Sequence, residues 1–321
     1  MSAKRALLFG VSGQDGTYLS RLLLERGYEV HGTSRDKDVA GFSNLRTLGI
    51  LDRVHLHSAS LVDFRSVLQV MSDVRPTEIY NLSGQSSVGL SFQAPIETID
   101  GIVVGTLNIL ESMRFLRLGA RFYNAGSSES FGDTLGQPAN EHTQFRPRSP
   151  YGVAKAAAHW AVANYREAYG LFACSGILFN HESPLRPPRF VTQKVVRGAV
   201  RIARGEAESL DLGNLNVARD WGWAPEYVEA MAAMLERDTP EDYIIATGVA
   251  SRLEDFVARA FQCVGLDWRA HVTHDSSLER PSDLAFSLGD PGKAKRELGW
   301  SALTRMPEIV NRLVEIELTR Y

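Results

Sequence analysis

The sequence predicts an α/β fold, a doubly wound parallel sheet followed by a smaller mixed α/β lobe at the C-terminal end. Three features predict it. Strand-like apolar runs alternate with helical stretches through the first half. A glycine-rich turn joins the first strand to the first helix. Beyond about residue 180, prolines and longer helices replace that rhythm.

Arg5-Ala-Leu-Leu-Phe-Gly10 is a short apolar run ending in glycine, which suits a strand buried on both faces. Tyr18–Leu24 has helical spacing and is closed by Gly27, and Glu29–Thr33 reads as a second strand. Val54–His57, Glu78–Leu82 and Arg121–Ala125 continue the strands, with helices expected over Phe64–Val74 and Thr98–Leu116. Such alternation implies right-handed crossovers and helices on both faces of the sheet. Pro184, Pro187 and Pro188 then break the chain. Helices over Val191–Arg204, Pro225–Arg237 and Leu253–Val264 follow, with short strands at Ser209–Leu212 and Asp242–Ala246. The expected organisation is a nucleotide-binding domain over 1–180 and a substrate lobe over 181–321, with a segment near 215–250 returning to the first domain.

The 321 residues are 44% hydrophobic and 23% charged, enough to bury a large core, which excludes a disordered or rod-like chain. The net charge is −3 and no basic run stands out, which argues against a nucleic-acid partner. Cys174 and Cys263 have neither metal-ligand nor disulfide spacing. No apolar run reaches the roughly 18 residues of a membrane span, and no signal-peptide order opens the chain. A cytoplasmic protein away from membranes is expected.

Gly10-Val-Ser-Gly-Gln-Asp-Gly16 places glycines where a tight turn lets a pyrophosphate approach a helix N-terminus. Any glycine-rich βα turn can look like this, but its place after the first strand points to a Rossmann-type dinucleotide site. At the end of the second strand, Ser34 and Arg35 favour the 2′-phosphate of NADP, whereas Asp36 pulls toward NAD. Tyr151 and Lys155 stand at i and i+4, on one helix face, with Ser149-Pro150 as a helix start. A nearby ammonium lowers a phenol's pKa and makes it a usable base. Ser127 and Glu129 follow the strand that begins at Arg121. Ser127 can bond a substrate hydroxyl and Glu129 adds a carboxylate that simple hydride transfer does not need. On spacing alone, Ser128 and Glu129 serve equally well as caps of the next turn.

Taken together, Gly10/Gly13/Gly16, Ser127-Ser-Glu129 and Tyr151-x-x-x-Lys155 resemble the extended short-chain dehydrogenase/reductase superfamily. Longer strings, among them Arg146–Lys155, Asn180-His-Glu-Ser-Pro184 and Arg219-Asp-Trp-Gly222, are similar to the GDP-mannose 4,6-dehydratase family over nearly the whole chain. That resemblance implies an internal redox dehydration of a GDP-sugar. C4 is oxidised with Tyr151 as base, Glu129 removes the C5 hydrogen, water leaves from C5–C6, and C6 is reduced. Lys155 would bind the nicotinamide ribose.

The resemblance also implies a cofactor site, NADP with NAD as the alternative, made of Gly10, Gly13, Gln14, Asp15, Gly16, Ser34, Arg35, Ser60, Leu61, Leu82, Ser86, His181 and Arg186 together with Tyr151 and Lys155. The substrate site it implies comprises Ser87, Asn180, Val191, Lys194, Leu212, Gly213, Arg219, Arg280 and Asp283. A homodimer through the Tyr151 helix and the helix over 98–116, or a homotetramer, is implied as well. No metal is expected. Departures from the family pattern are Ser127 for Thr, Arg35-Asp36 for paired arginines, Ser60 for Asp, Ser282-Asp283 for Ala-Glu, and the Pro187-Pro188-Arg189 loop. Two other readings remain: a related dehydratase, 4-reductase or epimerase acting on another GDP-sugar, and a catalytically silent NADP-binding regulatory protein. His181 as a satisfied buried histidine and Arg219 as an interface ion pair also remain open.

Overall fold

A computed structural model of the chain describes residues 4–320. Its first half alternates strand and helix: β1 (Arg5–Phe9), α1 (Gln14–Glu25), β2 (Glu29–Ser34), α2 (Ser43–Thr47), β3 (His55–Ser58), α3 (Phe64–Val74) and β4 (Glu78–Asn81). Then come α4 (Val88–Gln93), α5 (Pro95–Ile99), a π turn at Asp100–Val104, α6 (Gly105–Phe115), β5 (Arg121–Ser127), α7 (Pro150–Tyr169) and β6 (Ala173–Leu178). The single helix expected over 98–116 is therefore interrupted. Gly101 and Gly105 flank three β-branched residues there, all poor helix formers, and the chain widens by one turn.

The later elements are β7 (Asn180–Glu182), α8 (Val191–Ala203), β8 (Leu210–Leu212), β9 (Ala218–Trp223), α9 (Ala224–Leu235), β10 (Tyr243–Ile245), β11 (Ala250–Arg252) and α10 (Leu253–Cys263). They continue with β12 (Val272–His274), β13 (Phe286–Ser287), α11 (Gly292–Leu298) and α12 (Met306–Thr319). Seven parallel strands form one sheet in the order β10-β6-β5-β4-β1-β2-β3. The order reverses between β1 and β4, the switch point where ligands bind in such sheets. Apolar layers cover both faces. One holds Leu8, Tyr80 and Tyr123 against α1 and α9, and the other Leu7, Phe9 and Phe122 against α3 and α6.

The remaining elements build a second core of Val196, Trp221, Phe256, Phe261 and Ile309 among α8, α10 and α12. Strand β9 anchors it, pairing with β7, β11 and β13. No helix among the described residues is long and apolar enough to cross a membrane.

The outer strands β2 and β3 carry a histidine pair. His31 Nδ1 and His57 Nε2 are 2.9 Å apart, and His31 Nε2 lies 3.0 Å from Glu29. Burial first holds both rings below the ordinary histidine value, with positive neighbours adding to it: His57 for His31, Lys37 for His57. The unfolded chain thus takes up protons at higher pH than the folded one. The stability from this neutral pair is present above about pH 6.5 and is lost as pH falls below it. We expect Tm to drop between pH 7 and pH 5, and to drop less in His57→Gln. Equal slopes in a calorimetric series would exclude the pair as the cause.

Candidate active site

The C-terminal ends of β1, β4, β5 and β6 open into a cleft of about 580 Å³ whose far wall is the second core's loops. The glycine turn forms one end. Gly10 has φ +90°, and a Cβ there would stand 2.8 Å from the Leu82 carbonyl. A Cβ at Gly16 would strike the Gly10 carbonyl and approach Val11 Cα to 2.8 Å, so α1 can lie this close to β1 only with glycine there. Gly13 caps α1, leaving its first N–H groups turned toward the cleft without intrahelical acceptors.

The cleft floor is set by α7. Ser149 Oγ accepts the Gly152 N–H at 3.0 Å and Pro150 occupies the first turn, so the helix starts one residue before Tyr151. Gly152 meets the Glu129 carbonyl so closely that an added Cβ would stand 2.7 Å from it. This contact puts Tyr151 beside the turn after β5, close enough for the Ser127 hydroxyl to lower the pKa of the phenol. Ser127 Oγ also accepts the Glu129 N–H at 3.3 Å, so Ser127, and not the expected Ser128, caps that turn.

Burial pushes the Tyr151 phenol up to about 12, while Ser127 and the Arg186 charge pull it down. Lys155 differs from expectation. Its Nζ donates to the Ala125 carbonyl at 2.7 Å and lies 5.8 Å from the Tyr151 ring centroid, and burial lowers it to about 8. The residue that relieves the phenol is Ser127. Glu129 is raised by burial, with Asp283 adding to the rise and Arg219 and Arg280 opposing it.

At the glycine end, Asp15 Oδ2 lies 3.0 Å from His181 Nε2, and His181 Nδ1 donates to the Phe179 carbonyl at 2.7 Å. A carboxylate and a carbonyl on its two nitrogens favour the protonated ring. Burial opposes the charge, but Asp15 raises the His181 pKa above its ordinary value. His181 therefore has both ring nitrogens satisfied by the protein and also lines the cleft. Arg219 is likewise both things: its guanidinium pairs with Asp283 at 2.9 Å, shared with Arg280 at 3.3 Å, and all three line the cleft.

Of the residues singled out in the sequence, Gly13, Gln14, Asp15, Gly16, Leu82, Ser86, Ser87, Ser127, Glu129, Tyr151 and Lys155 line this one cleft. So do Asn180, His181, Arg186, Val191, Lys194, Leu212, Gly213, Arg219, Arg280 and Asp283. Gly10, Ser34, Arg35, Ser60 and Leu61 do not. Gly10 lies under the turn. Ser34 ends β2 with Arg35 exposed after it, and Ser60 and Leu61 follow β3. The Ser60 N–H donates to Ser66 Oγ at 2.9 Å and the Leu61 carbonyl accepts from Asn108 at 2.7 Å. Sequence reasoning missed Gln85 and Glu182 as cleft residues and named Arg189 only within a loop that departs from the family pattern; all three line the cleft. The polar run Ser83-Gly-Gln-Ser-Ser87 directly after a buried strand was the available signal for the first.

A family model described as GDP-mannose 4,6 dehydratase matches residues 7–313. GDP-mannose 4,6 dehydratase 1 of Arabidopsis thaliana is 43% identical over 98% of this chain and 90% of its own. The GDP-mannose 4,6 dehydratase of Homo sapiens is 42% identical over 98% of this chain and 92% of its own. Among solved structures, the UDP-glucose 4-epimerase of Thermus thermophilus, in complex with NAD, shares the fold. Its TM-score is 0.86 at 24% identity, over 99% of this chain and 100% of that one.

Gly152→Ala tests the floor contact. Forcing a methyl against the Glu129 carbonyl should cost about 1–3 kcal/mol, read as a Tm several degrees lower. An unchanged Tm would mean that α7 does not depend on this approach.

Proposed function

The chain belongs to the GDP-mannose 4,6-dehydratase family. From that premise we propose that its cleft converts GDP-mannose to GDP-4-dehydro-6-deoxy-mannose by an internal redox dehydration, which makes the protein a hydro-lyase. One observation carries the reading. Glu129 shares the cleft with Ser127, Tyr151 and Lys155, and burial holds its carboxyl above the ordinary carboxylate value. A plain oxidation or epimerisation at C4 has no use for such a group, whereas elimination across C5–C6 requires it.

The residues present fit a dinucleotide cofactor: glycine at 10 and 16 lets α1 close onto β1, and Gly13, Gln14, Asp15 and Gly16 at the start of that helix line the cleft. Gly13, Gln14, Asp15 and Gly16 would hold its diphosphate, with Leu82 and Ser86 alongside and Lys155 on the nicotinamide ribose. When bound, it supplies the redox chemistry, accepting a hydride from the sugar and returning it. NADP is the form the β2 end supports. Arg35 is exposed and makes no ion pair among the described residues, whereas the Asp36 carboxylate accepts the Asp38 and Val39 N–H groups at 2.9 and 3.3 Å. Asp36 is thereby committed to its own loop.

Tyr151 takes the proton of the C4 hydroxyl, with Ser127 bonding both phenol and substrate oxygen. Once C4 is a ketone the C5 hydrogen is acidic, and Glu129 removes it. The C6 hydroxyl leaves as water, taking up a proton that the Glu129 carboxyl can return. Arg219 and Arg280 offer bidentate donors to the substrate diphosphate, while Ser87, Asn180, Val191, Lys194, Leu212 and Gly213 line the way out of the cleft. For assembly, Val153, Trp160 and Ile96 are 47%, 63% and 71% exposed on α7 and α5, an apolar face that a homodimer would cover.

Purified protein given GDP-mannose and NADP should form a product lighter by one water, without net accumulation of reduced cofactor, as followed by mass spectrometry and absorbance. No product, with nucleotide binding intact, would overturn the reading. Tyr151→Phe and Glu129→Gln should each lower kcat by roughly 10²–10⁴-fold. Arg35→Ala should weaken NADP binding about tenfold and leave NAD unchanged. Equal loss for both cofactors would remove Arg35 from the 2′-phosphate.

A further inference from the structure

The chain that leaves the turn after β5 is stitched to the segment that carries Asp283. Gly132, at φ +73°, donates its N–H to the Glu129 carbonyl at 3.4 Å, and Asp133 follows it. The Asp133 carboxylate is engaged by both oxygens. Oδ1 accepts the Leu135 N–H at 2.8 Å, and Oδ2 accepts the Ala285 N–H at 2.8 Å. Leu135 stands at φ +50°, a region that residues other than glycine rarely enter, so the first bond holds a bend that the local sequence does not favour. Beyond it the Thr134 N–H donates to the Phe286 carbonyl at 3.1 Å and the Ala139 N–H to the Leu288 carbonyl at 2.9 Å. Ala285 is gripped from its other side as well, where its carbonyl accepts the Ala218 N–H at 2.8 Å. Two residues earlier, Asp283 Oδ1 accepts from Arg219 Nη2 at 2.9 Å, from Arg280 Nη1 at 3.3 Å and from the Leu284 N–H at 3.0 Å.

We propose that Asp133 is a positioning residue for the substrate: by tying Ala285 to the turn that carries Glu129, it sets where Asp283 stands, and through Asp283 the orientation of Arg219 and Arg280. This rests on those two arginines taking the substrate diphosphate, as read above. An amide that donates to a carboxylate makes a charge-assisted bond, shorter and stronger than one to a neutral acceptor. Without it Ala285 keeps its bond to Ala218 alone, and the side of the segment that faces the catalytic turn can pivot. Arg219 stays anchored by Nη1 on the Ala218 carbonyl at 2.9 Å, so the displacement falls on Asp283 and Arg280. A guanidinium meets phosphate oxygens in a planar fork, and a tilt of that plane costs affinity for the diphosphate before it touches the chemistry. The glycine turn shares none of these bonds.

Asp133→Ala removes both acceptors. Its affinity for GDP and for NADP is measured by titration calorimetry, and its turnover of GDP-mannose by product formation, beside the parent. KM for GDP-mannose should rise about five- to tenfold and GDP should bind more weakly by the same factor, with kcat within about twofold of the parent and NADP affinity unchanged. Asp133→Asn keeps one acceptor oxygen and should fall between the two. Because Asp133 acts through Asp283, Asp133→Ala should add little to Asp283→Ala. Parental GDP affinity in Asp133→Ala would overturn the proposal, and so would full additivity with Asp283→Ala. Equal weakening of GDP and NADP with a lowered Tm would make the tether structural, with the same result. The calorimetry needs no turnover. A parent that binds GDP and leaves GDP-mannose unchanged would therefore sink the dehydratase reading alone, with GDP affinity still deciding the role of Asp133. A parent that does not bind GDP would overturn both.

Discussion

The contact between the first turn of α7 and the Glu129 carbonyl is the constraint on which the cleft depends. Tyr151 and Ser127 come from different elements, and only close approach of helix and strand end lets the hydroxyl act on the phenol. Glycine at 152 permits that approach, and Ser149 with Pro150 fixes where the helix begins. A start one residue later would turn Tyr151 by about 100° around the helix axis, away from β5. The same device recurs at the other end, where Gly10 and Gly16 let α1 close onto β1.

A second constraint is electrostatic. The cleft walls bury ionisable groups that neither half of the molecule satisfies alone. Gln14 of α1 donates to Asp15 and to the His181 carbonyl, and its own carbonyl oxygen accepts from Ser183 Oγ at 2.7 Å. Gln193 of α8 then donates to the Ser183 carbonyl at 3.0 Å. This chain of bonds runs from the glycine turn through β7 into the first helix of the second core. Breaking one member would strand a buried polar group, at a cost of about 1–3 kcal/mol. The network therefore fixes the two cores in one relation across the cleft, and holds Asp15 ionised below its ordinary value against its burial through His181.

The first five strands were legible from the alternation of short strand-like runs with helical stretches, although β2 and β3 are not themselves apolar runs. Strand β6 was not, although all its residues are buried. Its sequence, Ala173-Cys-Ser-Gly-Ile-Leu178, is small for a steric reason: a Cβ at Gly176 would stand 2.5 Å from the Tyr123 hydroxyl of the next strand. The size was set by a neighbour 53 positions away, which no local pattern displays. The catalytic set divides the same way. Tyr151 and Lys155 announce a shared helix face, but spacing cannot say that Lys155 donates to the Ala125 carbonyl while Ser127 serves the phenol. Gly152 sits inside the Tyr151-x-x-x-Lys155 motif, yet the motif does not announce its steric role, because that role exists only between elements.

The proposed acid/base pair also depends on the charges at the other end of the cleft. Arg219 and Arg280 share one carboxylate, Asp283, so their charges are part-neutralised before they act on Glu129. On the reading that both arginines take the substrate diphosphate, an arriving dianion cancels more of that positive field. The Glu129 carboxyl then rises further, which makes its carboxylate a stronger base toward a carbon-bound proton. Tyr151 responds less, because its relief comes from Ser127 and Arg186 and not from the two arginines at the substrate end. Substrate charge thus adjusts one of the two acid/base groups and leaves the other to fixed protein contacts. That separation is what a single cleft needs to run an oxidation and an elimination in sequence at one pH.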